Sequence, residues 1–202
     1  MGIFGMKAGK VLATLGLCMA LFCVPAGANE RQSLDELKNS FTSLQDEIKA
    51  LHDKLKIKED AKTWFKFNQT TKKLEIVKQR FSLAYFIDKG WKPFQAAAII
   101  GNCVEESNLN PAAENEYPVL NGRYARYIGI AGWSKSASQL KEYARKKRKD
   151  WRDFQLQLDF LQYQLETTAP RQVAWLMGAE NVKEASEAFS SFLWVNSTAE
   201  KK

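Results

Sequence analysis

Histidine and cysteine are nearly absent from this 202-residue chain, which holds one His and three Cys. A single His52, outside the C-terminal part of the chain, cannot supply the base of a Ser–His or Cys–His nucleophile there. It also excludes a multi-histidine zinc centre. There is no CxxC pair, so no thiolate metal site is expected, and no metal or cofactor is expected at all. Long apolar runs are missing too. The one candidate, Val11 to Val24, falls short of the ~20 residues a spanning helix needs.

That run has another explanation. Lys7 and Lys10 precede it, and Pro25-Ala26-Gly27-Ala28 follows with an A-x-A pattern before Asn29. This is the layout of a secretory signal peptide over residues 1–28, cleaved after Ala28. Its removal takes Cys18 and Cys23 with it. Cys103 is then alone, next to Val104 on an apolar segment, and is expected to be a small core residue without a disulfide. The chain is expected to be secreted or periplasmic, with no transmembrane anchor after cleavage. The formal charge of +7 loses the two signal lysines and still favours anionic partners such as the bacterial wall or lipid surfaces.

What remains for catalysis is carboxylates, Lys, Tyr and hydroxyls. The mature chain reads as mainly α. Leu34, Leu37, Phe41, Leu44, Ile48, Leu51 and Leu55 recur at a/d spacing over three heptads, which marks residues 29–58 as a coiled-coil-like amphipathic helix. Residues 33–56 would bind a second copy or an envelope partner; packing against the chain's own domain is the equally weighted alternative. Residues 59–75 read as a linker holding Trp64, Phe65 and Phe67, and 76–202 as one helical domain. Within it FQAAAIIGNCVEES is apolar almost all round and predicts a buried central helix. Residues 111–133, with their Pro, Gly and Asn breakers, read as an irregular lobe. Four stretches after it repeat the helical pattern: a helix capped by Ser134, the Phe154–Leu158–Leu161–Leu165 stripe, a short helix between Pro170 and Gly178, and Val182 to Leu193.

Two adjacent glutamates, Glu105 and Glu106, end the central helix. Ile99, Cys103 and Glu106 are spaced i, i+4, i+7, so Glu106 continues an apolar face and Glu105 falls about 100° away. Partial burial and the negative helix terminus both favour the neutral carboxyl of Glu106. A carboxyl kept protonated near neutral pH is what a general acid requires. A solvated or capping glutamate is the ordinary alternative, and spacing does not decide between them.

The neighbouring residues add a resemblance. QAAAIIGNCVEESNLNP is similar to the signature of the phage tail lysozymes, a branch of the lysozyme-like superfamily, with Glu106 on the family's Glu before Ser. Gly129-Ile130-Ala131-Gly132-Trp133-Ser134 resembles its Gly-Ile-x-Gln-Trp-Ser/Thr segment. Lys149-Asp150-Trp151 with Gln157-Leu158-Asp159-Phe160-Leu161, and then Val182 to Phe189, resemble its later segments in the right order. The resemblance implies a lysozyme-like fold, cleavage of peptidoglycan glycan strands, and Glu106 as general acid. Gly132 departs from the pattern, which has Gln there, and puts activity in question. Glu114 and Glu116 are candidates for a second carboxylate across a cleft, with solvated loop surface as the alternative. Tyr124, Tyr127 and Trp133 are candidate sugar platforms, with a buried role equally open for Trp133. A muramidase, a lytic transglycosylase and a catalytically inactive glycan-binding protein all remain open. The basic run ARKKRKDWR could bind wall polyanions or form a solvated face; no module specific for nucleic acid is visible.

Overall fold

A computed structural model describes residues 34–57, 61–119 and 123–198. The expected signal segment and His52's side chain lie outside the described residues. Among them are seven helices and one two-stranded sheet: α1 Leu34–Ile57, α2 Ala61–Asp88, α3 Pro93–Ser107, β1 Glu114–Val119, β2 Arg123–Ile128, α4 Ala137–Lys147, α5 Phe154–Thr167, α6 Pro170–Gly178 and α7 Val182–Thr198. The architecture is mainly α with a small β lobe, as a lysozyme-like fold requires. None of the described helices is long and apolar enough to cross a membrane. The described residues divide into two compact units at Lys89–Gly90.

In the first unit α1 packs along α2 as a helical hairpin. The heptad stripe on α1 therefore meets a helix of its own chain. Leu37 and Leu51 are buried, and Phe41 stacks on Phe81 with centroids 6.4 Å apart. Within the expected linker over 59–75 the chain is helical from Ala61, and Thr70 is buried. The segment AKTWFKFNQTTK has no clean 3-4 stripe of its own, but it continues the helix of Lys73–Asp88, and propagation from an existing helix outweighs weak local propensity.

In the second unit α3 is the buried axis. Pro93 fits the first helical position, where no N–H is needed. Gln95 to Cys103 are all buried, a run that only a helix surrounded on every side can sustain. Ala96, Ala97 and Ala98 on α3 and Ala185 and Ala188 on α7 are all buried small residues. They let the two helices approach closely, and Asn102 ties them by donating to Ser186 Oγ at 3.1 Å. The remaining core comes from Leu140 of α4, Phe160, Leu161 and Leu165 of α5, Leu176 of α6, and Phe189 and Phe192 of α7. Helix α5 starts at Asp153, whose carboxylate accepts from the Leu156 N–H at 2.7 Å. Helix α4 begins at Ala137 after Ser136. Ser134 contributes only a carbonyl to the preceding turn, accepting from the Ala137 N–H at 3.2 Å.

The lobe is more regular than its breakers suggest. β1 and β2 are antiparallel in the register Glu114↔Ile128, Glu116↔Arg126 and Val119↔Arg123. Pro118 is tolerated because a two-stranded sheet consists of edges.

Candidate active site

The end of α3 is set by two successive left-handed residues, Asn108 (φ 54°) and Leu109 (φ 53°). Asn adopts this conformation readily, but Leu does so at a cost of roughly 1–2 kcal/mol. Burial of the Leu109 side chain offsets that cost. The break turns the chain abruptly into the lobe. The Asn110 carboxamide oxygen accepts from the Ala112 N–H at 3.1 Å, and the Ala113 N–H donates to the Asn110 carbonyl at 3.1 Å. Backbone strain of this kind directly follows Glu106 and Ser107, a placement common at functional sites.

Opposite the helix end lies the turn Gly129–Gly132. Ile128 and Trp133 close it with two backbone hydrogen bonds of 2.9 Å. Both glycines have positive φ, 71° and 59°. The turn is held from three sides. Ser107 Oγ donates to the Ile130 carbonyl at 2.9 Å. The fully buried Gln157 accepts from the Ile130 N–H at 2.9 Å and donates to the Pro111 and Trp151 carbonyls at 2.8 and 2.7 Å. The Gly129 N–H donates to the Ala113 carbonyl at 2.9 Å.

Glu106 meets this turn directly. A Cβ placed on Gly132 would lie 2.6 Å from Glu106 Oε2 and 3.4 Å from its Cδ. The carboxyl therefore occupies the space in which any side chain at position 132 would begin. Glu106 is half-buried and Glu105 is exposed, as the helical phase requires. Cys103, one turn back, is buried; burial, and next the neighbouring Glu106 carboxylate, push its thiol far above the ordinary range. It stays a neutral core thiol and not a nucleophile.

The other candidates divide. Trp133, expected as a sugar platform or a core residue, is a core residue. It is 4% exposed, lies edge-on to Phe160 at 5.4 Å, and donates from Nε1 to Gln164 Oε1 at 2.7 Å. Its faces are covered, so they are not available to a sugar. Tyr127 is half-buried opposite Asn115, and Tyr124 stands opposite Pro118 in the register. Glu114 and Glu116 lie on the exposed surface of β1 and are paired with arginines. Glu116 accepts from Arg126 at 2.9 Å and Glu114 from Arg152 at 3.0 Å. Among the described residues no three His, Cys, Asp or Glu side chains converge as a metal site would need.

Sequence reasoning assigned no role to Ser107, Gln157 or Gln164, which hold the site. The signal was available: Gln157 is three residues after Phe154 and four before Leu161, so it sits on the apolar stripe of α5. A polar residue at a buried phase is expected to be fully hydrogen-bonded. Gln157→Leu should leave the Ile130 N–H and the Pro111 and Trp151 carbonyls without their partner, a loss of about 3–5 kcal/mol. Urea unfolding measures it, and a loss below ~1 kcal/mol would remove the clamp role.

Comparison with curated proteins and with solved structures gives no match. A family model, phage tail lysozyme, matches residues 78–201, a span that includes Glu106, the Gly129–Gly132 turn and Gln157. The match covers more than half of the chain, and the chain belongs to the phage tail lysozyme family.

Proposed function

We propose that the protein is an exported, secreted or periplasmic enzyme that cleaves the glycan strands of peptidoglycan, with Glu106 as the general acid. Membership of the family supports peptidoglycan as the substrate. The observation that carries the assignment of the acid is the seating of the Glu106 carboxyl against the bare backbone of Gly132, while Glu105 points to solvent. A carboxyl seated against a fixed turn has fewer directions in which to deliver its proton to a glycosidic oxygen.

Glu114 and Glu116 are each engaged by an arginine, which favours a reaction with one acid. In such a reaction Glu106 protonates the leaving oxygen, and its carboxylate then takes the proton of the sugar's own C6 hydroxyl as that oxygen attacks the anomeric carbon, leaving a 1,6-anhydro end. A second carboxylate would instead direct water to the sugar. Mass spectrometry of a peptidoglycan digest separates the two. Glycan fragments ending in anhydro sugars are expected, and reducing ends would mean hydrolysis. Products with intact glycan and cut peptides would sink the reading altogether. The α1–α2 hairpin, whose Leu34, Phe41, Leu44 and Ile48 are only half-buried, is the element we assign to self-association or an envelope partner.

A further inference from the structure

The excess of positive charge in the second unit comes from one segment. Between Lys141 and Arg152 stand seven Lys or Arg against two acids, whereas the rest of residues 90–202 carries eight against eleven. The domain outside this segment is thus net acidic, and the basic face is not a sample of an evenly basic protein. It covers the end of α4 and the connection to α5.

Four of these seven cations meet a carboxylate of the protein, two of them at close range. Arg145 is bound to Glu142 through both Nε and Nη2, each at 2.7 Å. Arg152 holds Glu114 at 3.0 Å. Among the described residues Lys147 and Arg148 have no carboxylate within ion-pair distance, Lys146 reaches Glu142 only at 3.9 Å, and Lys149 reaches Asp153 at 3.6 Å. Several are also fixed in place by aromatic faces. Lys141 and Arg152 lie over the Trp151 ring at 5.6 and 4.4 Å, and Lys147 over Tyr143 at 5.7 Å. Side chains ordered in advance lose less entropy when a ligand arrives. The face is also continuous with the lobe beside Glu106. Arg152 binds Glu114 of β1, and Trp151 shares the Gln157 clamp with the Gly129–Gly132 turn.

Resting on the reading of the site given above, we propose that this face docks the carboxylate-bearing peptides that branch from the glycan strands of peptidoglycan. It would hold the protein on its polymer beside the site and raise the local concentration of strands at Glu106. Anions that recur along the substrate complement cations that recur along this surface.

Binding of the full-length Glu106→Gln protein to insoluble peptidoglycan, stripped of attached polymers, tests this without turnover. Lys146→Gln, Lys147→Gln and Arg148→Asn are combined; Asn tolerates the left-handed backbone at position 148 (φ 55°). The combined variant should bind about tenfold more weakly at low salt, and the difference should vanish at high salt. Amidating the peptide carboxylates should weaken the binding of the parent to the same degree. Circular dichroism confirms that the variant is folded, and neutralising Arg171 and Lys183 should change nothing. Equal binding by the combined variant, or indifference to amidation, overturns the proposal. So does tighter binding of the parent to duplex DNA or phosphatidylglycerol vesicles than to peptidoglycan at the same salt. Because retention is read in a Glu106→Gln background, residual cleavage there would refute the acid and leave the docking result standing.

Discussion

Glu106→Gln is expected to lower the rate of glycan cleavage by about 100- to 10,000-fold, the range that a positioned general acid contributes. The substitution keeps the shape of the side chain and so keeps the packing against Gly132 and Cys103. What it removes is the transferable proton. Binding to the glycan should therefore persist while kcat falls, the signature of an interaction made in the transition state. Glu105→Gln is the matched control, because that residue stands exposed on the same turn of α3. It removes the same charge from the same helix end and should leave the rate unchanged. A zymogram on purified peptidoglycan, followed by initial rates, makes the comparison. Clearing by Glu106→Gln at the wild-type rate, or loss on Glu105→Gln alone, would sink the assignment.

The helix that presents Glu106 was legible because its sequence has no polar side to turn to water, so burial on all sides was the only packing it allowed. Which of the two glutamates turns inward was legible for a related reason: helical phase is a local property that tertiary contacts do not alter. The segments the sequence left open were those whose conformation is decided at a distance. Residues 61–75 carry Lys, Thr and Asn with scattered aromatics, and a helix is favoured there only as a continuation of the rest of α2. The β1–β2 pair was hidden because each strand is short, polar and only six residues long, and strands declare themselves through partners. Trp133 could not be placed from its type alone, since one indole suits a sugar face and a core equally. Its hydrogen bond to Gln164, 31 residues away, decides the matter. The same holds for Gly132. As a departure from the family pattern it casts doubt on activity, but in the fold it is the residue that makes room for Glu106.

Gly132→Ala should cost more in catalysis than its loss of stability suggests, and its two costs can be separated. The first is backbone strain. At φ 59° an alanine costs roughly 1–2 kcal/mol, lowering Tm by about 2–8 °C. The second is contact. The new methyl would lie 2.6 Å from Glu106 Oε2, inside van der Waals distance, so either the turn or the carboxyl must move. The turn is held by the Ile128–Trp133 pair, by Ser107 and by Gln157, whereas the glutamate has rotatable bonds. The carboxyl should yield, and a displacement near 1 Å is enough to cost about 100-fold in rate. The expected result is a folded protein with Tm slightly reduced, kcat down about 10- to 100-fold and KM nearly unchanged. Gly90 supplies the comparison: at φ 93° it is strained for alanine, but an added Cβ meets nothing within 4 Å. Gly90→Ala should lower Tm and spare kcat. If Gly132→Ala behaves as Gly90→Ala does, the seat under Glu106 has no part in catalysis, whatever the carboxyl itself contributes.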